Sequence, residues 1–187
     1  MRCILCSRWS FAHICTGCQE RFLKPDIKKF RLFKDFEVVS FYGYSEIEEL
    51  LKTKHTYVGA YIYKILAANS FKIFAKNFTQ KAFVVPVDDK ISGGYSHTAI
   101  LAKSLKSGYL KPLYNVLPAK NRINYSGKPL DFRLKNPRDF QYRGRAGDIV
   151  LVDDIITTGT TLKEAYSVLK KAGANPLFAL TLATAKS

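Results

Sequence analysis

Two groups of residues in this chain have types and spacings that do chemistry. Cys3, Cys6, Cys15 and Cys18 form two C-x-x-C pairs separated by eight residues, and the chain has no other cysteine. A C-x-x-C turn lets two thiolates converge on one ion, and two such turns complete a tetrahedral S4 shell suited to zinc. Four thiolates also suit an iron–sulfur cluster, and two disulfides are disfavoured in a reducing cytoplasm; the spacing favours zinc. His13 lies between the pairs, but four cysteines already fill the shell. With no coordination position left for water, such a site is structural, a clip or a docking surface.

The second group is Val150 to Thr161, VLVDDIITTGTT. The apolar run Ile149 to Val152 reads as a buried strand, Asp153 and Asp154 stand at its carboxyl end, and Thr157, Thr158, Gly159, Thr160 and Thr161 precede a helix. In an open parallel sheet, ligands sit beyond the carboxyl ends of the strands. Backbone N–H groups at a helix start surround an anion, threonine hydroxyls add donors, and Gly159 permits close approach of a phosphate. The two aspartates repel a phosphate, so their natural partners are neighbouring ribose hydroxyls, directly or through Mg²⁺. The segment is a loop for a phosphate carried on a sugar.

The elements that must hold these groups follow from periodicity. Strands are expected at Phe36 to Tyr42, Ala82 to Val87, Pro112 to Leu117, Ile149 to Val152 and Leu177 to Ala183. Helical spacing runs from Ile47 to Leu66, as one helix or two, with Ser45 and Glu48 as a capping box; it returns at Ser96 to Leu105 and at Leu162 to Lys171, the last ended by Gly173. Glu20 to Lys34 is basic, is broken by Pro25 and reads as a linker. Alternation of strand and helix implies an α/β fold with a parallel sheet flanked by helices. The expected organisation is a zinc-binding module and basic linker at 1–35 and a larger domain at 36–187. The longest apolar candidate, Tyr57 to Phe78, is interrupted by Lys64, Lys72 and Lys76, so no transmembrane helix is expected. The N-terminus is too short in apolar residues for a secretory signal. Both point to the cytoplasm.

The acid pair and Thr-Gly turn resemble the phosphoribosyl pyrophosphate (PRPP) signature of type I phosphoribosyltransferases. With the four-cysteine N-terminus, Leu51-Lys52, the strand ending Val85-Pro86-Val87, and GYSHTAILAKSL from Gly94 to Leu105, the chain resembles the ComF (ComFC) family of competence proteins nearly end to end. The resemblance implies a type I phosphoribosyltransferase-like sheet, PRPP with Mg²⁺ as ligand, Lys52 facing it, and single-stranded DNA as partner during natural transformation, alongside other competence proteins. It also implies a cytoplasmic place, or a peripheral one at the inner face of the membrane. Where that family usually reads Arg-Gly-Phe-Asn-Gln, this chain has Gly93, Gly94, Tyr95, Ser96 and His97. That departure removes an Arg, an Asn and a Gln from the side on which the resemblance implies pyrophosphate contacts, although Asp88, Asp89 and Lys90 occupy the strand end. His97 and His55 are expected to cap or pack.

Thirty Lys and Arg against fifteen Asp and Glu give a net charge of +15, which a polyanionic partner would offset. The excess is concentrated in Lys120, Arg122, Lys128, Arg133, Lys135, Arg138, Arg143 and Arg145, facing only Asp131 and Asp139 and interleaved with Tyr125, Phe132, Phe140 and Tyr142. Cations alternating with flat rings suit single-stranded nucleic acid. The same segment also fits a basic lid over PRPP, or a solvated loop. Three functions are therefore expected to compete: a PRPP-binding competence protein, a phosphoribosyltransferase acting on a nucleobase, and a PRPP-sensing regulator.

Overall fold

In the computed structural model, which describes residues 1–88, 91, 94–121 and 130–185, the sheet is built around the strands that the apolar runs predict. Ile149 to Val152 are all fully buried and belong to β5, Asp148–Ile156. It lies between β6, Asn175–Thr184, and β3, Ala82–Pro86, parallel to both. Continuous Val, Ile and Leu runs are what a strand covered on both faces requires. β2, Phe36–Gly43, joins β6 in parallel, and β4, Leu110–Pro112, joins β3.

The expected strand at Pro112 to Leu117 is displaced toward the N-terminus. Leu113 donates a last bond to the Val84 carbonyl at 2.9 Å, but Pro112 has no N–H to continue a ladder, and the chain leaves the sheet. The segment expected to be a linker carries two elements, α1, Thr16–Phe22, and β1, Lys28–Phe33. β1 pairs antiparallel with β2, giving a six-stranded sheet of order β1-β2-β6-β5-β3-β4. Its alternation was hidden by charge: Lys29 and Arg31 point outward while Phe30, Leu32 and Phe33 are half-buried. Basic residues on an edge strand also discourage a further strand from adding there.

Helices cover both faces. α2, Tyr44–Leu51, starts two residues earlier than expected, with Gly43 rather than Ser45 as its cap, and the carboxylate that reaches back is Glu46, which accepts from the Gly43 N–H at 3.0 Å. Glu48 is instead paired with Lys52. A 3-10 turn over Lys52–His55 leads to α3, Tyr57–Asn69, and then α4, Phe71–Asn77. Gly59 allows the close approach here: a Cβ would collide with the Thr53 carbonyl and the Tyr95 hydroxyl. α5, His97–Ser104, is capped by Ser96, whose Oγ accepts from the Ala99 N–H at 3.1 Å.

These helices and the cysteine module share one core cluster with the sheet, in which Ile14, Leu23, Ile62, Tyr63, Leu66 and Leu101 are buried. On the opposite face α7, Thr160–Lys171, packs Leu162, Ala165 and Leu169 with Val38, Val85 and Leu151. A short α6, Leu130–Lys135, lies in the basic segment. Among the described residues no helix is long and apolar enough to cross a membrane.

Candidate phosphoribosyl and metal sites

The Thr-Gly turn follows β5 directly, and α7 begins at Thr160. Gly159 takes a left-handed φ of 78°, which a side chain disfavours. Thr157 and Thr158 are exposed, Thr160 and Thr161 half-buried, and the hydroxyls of Thr158 and Thr160 lie 2.9 Å apart. The turn thus brings hydroxyls and first-turn N–H groups to the carboxyl edge of the sheet, where the macrodipole of α7 favours an anion.

The two aspartates differ in environment. Asp154 is buried, and its Oδ2 meets Lys54 Nζ at 3.2 Å and His97 Nε2 at 3.3 Å. Burial by itself would raise its carboxyl, but His97 and Lys54 together hold it below the usual carboxylate range. Asp153 is half-buried; burial first, and then the charge of Asp154, push its carboxyl well above that range, with Arg138 opposing. Burial lowers His97 below an ordinary histidine, against the pull of Asp154.

Around this cluster the Tyr95 hydroxyl donates to the Lys54 carbonyl. The Tyr63 ring packs edge-on against His97 at 5.7 Å, and burial pushes the Tyr63 phenol far up.

Lys52, expected to face the ligand, forms exposed pairs with Glu48 at 3.1 Å and Glu49 at 2.6 Å. The lysine that meets the acid pair is Lys54, two residues on. Sequence reasoning missed Lys54, Tyr63 and Tyr95, and gave His97 only a capping or packing part. A lysine in a solvated-looking turn carries no local signal of a partner one hundred residues away.

The basic segment is tied back toward the same edge. Val116 to Asn121 pairs with Arg138 to Arg143 through backbone bonds of 2.8 to 3.2 Å. Glu164 on α7 accepts from the N–H groups of Arg138 and Asp139, and Arg138 Nη1 meets Asp88 Oδ2 at 3.0 Å. Arg138, expected to contact DNA, is thus engaged inward, because Asp88 at the end of β3 offers it a carboxylate. Phe140 is buried and cannot stack on a base. Lys120 is exposed beside Asp139 at 3.5 Å, and Lys135, Arg143 and Arg145 are exposed. Asp89, Lys90, Gly93, Arg122, Tyr125, Lys128 and the side chain of Arg133 lie outside the described residues.

The sulfurs of Cys3, Cys6, Cys15 and Cys18 all lie within 4.8 Å of one another, with Cys6 and Cys15 at 3.6 Å. Tetrahedral zinc with Zn–S near 2.3 Å needs sulfurs roughly 3.8 Å apart, so the cluster fits a single ion. Burial opposes ionisation of Cys3, but backbone N–H groups, including that of Cys15 at 3.3 Å, draw it down to about 6. Cys18 is pushed up to about 12, by burial first and then by the neighbouring thiols. A cation at the centre is what would let all four act as thiolates. The module docks on α3, with the His13 and Tyr61 rings 4.8 Å apart and Gln19 accepting from Asn69 at 3.0 Å.

No family model matches the chain. A hypoxanthine phosphoribosyltransferase from Staphylococcus aureus aligns in structure over 65% of this chain and 62% of its own, at 19% identity and a TM-score of 0.42. The adenine phosphoribosyltransferase of Leishmania donovani aligns over 88% of this chain and 66% of its own, at 15% identity and a TM-score of 0.43. In sequence, the chain is 31% identical over 71 residues to a curated orotate phosphoribosyltransferase of Marinobacter nauticus, a match that spans 35% of this chain and 34% of that protein. Over about a third of its length, then, this α/β chain is similar in sequence to a phosphoribosyltransferase.

Proposed function

We propose that this protein binds PRPP or a closely similar phosphoribosyl ligand at the carboxyl edge of its sheet and, as a ComF-like competence protein, engages single-stranded DNA. The observation that carries the ligand is the strand–acid pair–Thr-Gly turn–helix unit formed by β5 and α7. Its hydroxyls and N–H groups suit the 5′-phosphate, and the acid at the strand end suits the ribose diol. Asp153 would hold Mg²⁺ together with the sugar, the ion neutralising ligand oxygens.

The DNA part rests on the family resemblance, on the net charge of +15 and on the exposed Lys120, Lys135, Arg143 and Arg145. The cysteine module at the head of the 1–35 segment would hold one structural zinc against the larger domain at 36–187, whose sheet takes in β1 from the same segment. A cytoplasmic protein, free or peripheral at the membrane, fits this reading.

The second reading is a transferase joining a nucleobase to the phosphoribosyl group, favoured by the sequence match to an orotate phosphoribosyltransferase. Calorimetric titration with PRPP and Mg²⁺ tests the shared ligand: saturable binding is expected, and no heat at millimolar PRPP overturns both readings. Pyrophosphate release across a panel of nucleobases selects the enzyme. Salt-sensitive anisotropy with labelled single-stranded DNA selects the competence protein.

A further inference from the structure

Asp153 and Asp154 are neighbours in sequence, but their hydrogen bonding divides the labour between them. Asp154 Oδ1 accepts from the Ile155 N–H at 2.8 Å, and its Oδ2 is shared by Lys54 and His97. Its side chain is 11% exposed. Two donors from the protein, the Ile155 N–H and the Lys54 ammonium, thus bond the carboxylate, and the His97 ring stands against the same oxygen. Asp153 Oδ1 accepts from the Asp154 N–H at 2.8 Å, the Asp154 side chain lies close to its carboxyl, and among the described residues no N–H donor reaches its Oδ2.

The donors to Asp154 are themselves held. Tyr95 fixes the turn carrying Lys54 through its carbonyl, Gly59 makes room for that contact, and the fully buried Tyr63 packs against His97.

Resting on the phosphoribosyl reading above, we propose that Lys54 and His97 are positioning residues that commit Asp154 to the protein, leaving the open oxygen of Asp153 as the carboxylate that receives the sugar. Two ionised carboxylates facing one diol would repel each other and weaken the adjacent phosphate site. Compensating one of them internally reduces that cost and locks the strand end on which Asp153 stands. Without Lys54, the buried Asp154 loses its cation and turns outward or takes up a proton. In either case the oxygen of Asp153 is misplaced, while the Thr-Gly turn is untouched.

Inorganic phosphate probes the turn alone, whereas ribose 5-phosphate probes the turn and the acid together. The ratio of their affinities therefore isolates the sugar contribution. In calorimetric titrations, Lys54→Met and His97→Leu are expected to lower that ratio about tenfold, as loss of a supporting partner does, with phosphate affinity unchanged. Lys54→Arg and His97→Gln, which restore a donor, should recover it.

Asp153→Asn keeps an acceptor for the Asp154 N–H, and it should lose the sugar contribution with no fall in Tm. An unchanged ratio in Lys54→Met or in Asp153→Asn, or parallel loss of both ligands, overturns the division of labour. Equal affinity of the wild-type chain for phosphate and ribose 5-phosphate would overturn the phosphoribosyl reading itself.

Discussion

Leu32, on the edge strand β1, places its Cδ1 where a side chain on Gly159 would have to begin. The segment that looks like a basic linker in sequence thereby packs over the phosphate turn. Gly159 is constrained twice, by this contact and by its left-handed backbone. Gly159→Ala is expected to destabilise the fold by about 1–2 kcal/mol from the backbone strain alone. For a chain of this size that is a fall of roughly 2–8 °C in Tm, read by differential scanning fluorimetry. Leu32→Ala in the same background should return part of the loss by vacating the space that the new methyl needs.

Thr158 is exposed at the turn, with its hydroxyl 2.9 Å from that of Thr160. Thr158→Asp sets a carboxylate against the phosphate position and should abolish PRPP binding in a calorimetric titration while Tm stays near the wild-type value. Unchanged affinity would move the anion elsewhere.

Leu151 is fully buried in β5, packed against the α7 side of the sheet. Leu151→Ala should cost about 2–5 kcal/mol through reduced burial and a residual cavity. The cost is measurable as a lower urea midpoint. Lys52→Met, by contrast, removes only exposed pairs with Glu48 and Glu49 and should leave ribose 5-phosphate affinity within about twofold, as surface pairs do.

Elemental analysis of the purified chain should find about one zinc per chain, as four thiolates in one shell require. Chelation under reducing conditions should lower Tm and expose Ile14 and Leu23, which are buried beneath the module. Protease nicking in the first twenty-odd residues reads out that exposure. Chelation with no change in Tm would sink the clip.

Lys120, Lys135, Arg143 and Arg145 are the exposed cations of the basic segment among the described residues. Their joint replacement by alanine should weaken single-stranded DNA binding and flatten the log–log salt dependence by about 0.7 for each phosphate that is no longer neutralised. Anisotropy titrations at several salt concentrations measure that slope. Arg138→Ala is expected to behave differently, loosening the segment from Asp88 and lowering Tm.

What was legible in the sequence was local. Four cysteines at C-x-x-C spacing, an apolar run ending in Asp-Asp, and a Thr-Gly turn before an amphipathic helix each carry their meaning within about twenty residues. The strands β2, β3, β5 and β6 followed for the same reason, since burial on both faces demands continuous apolar runs. Only the tertiary structure could separate Asp153 from Asp154, because their difference is made by Lys54 and His97, brought in from a distant turn and from the start of α5. It also decided that Glu20 to Lys34 contains a strand, that Lys54 rather than Lys52 meets the acid pair, and that Arg138 and Phe140 turn inward. In each case the partner is remote in the chain, and a charge or ring in sequence does not declare which way it faces.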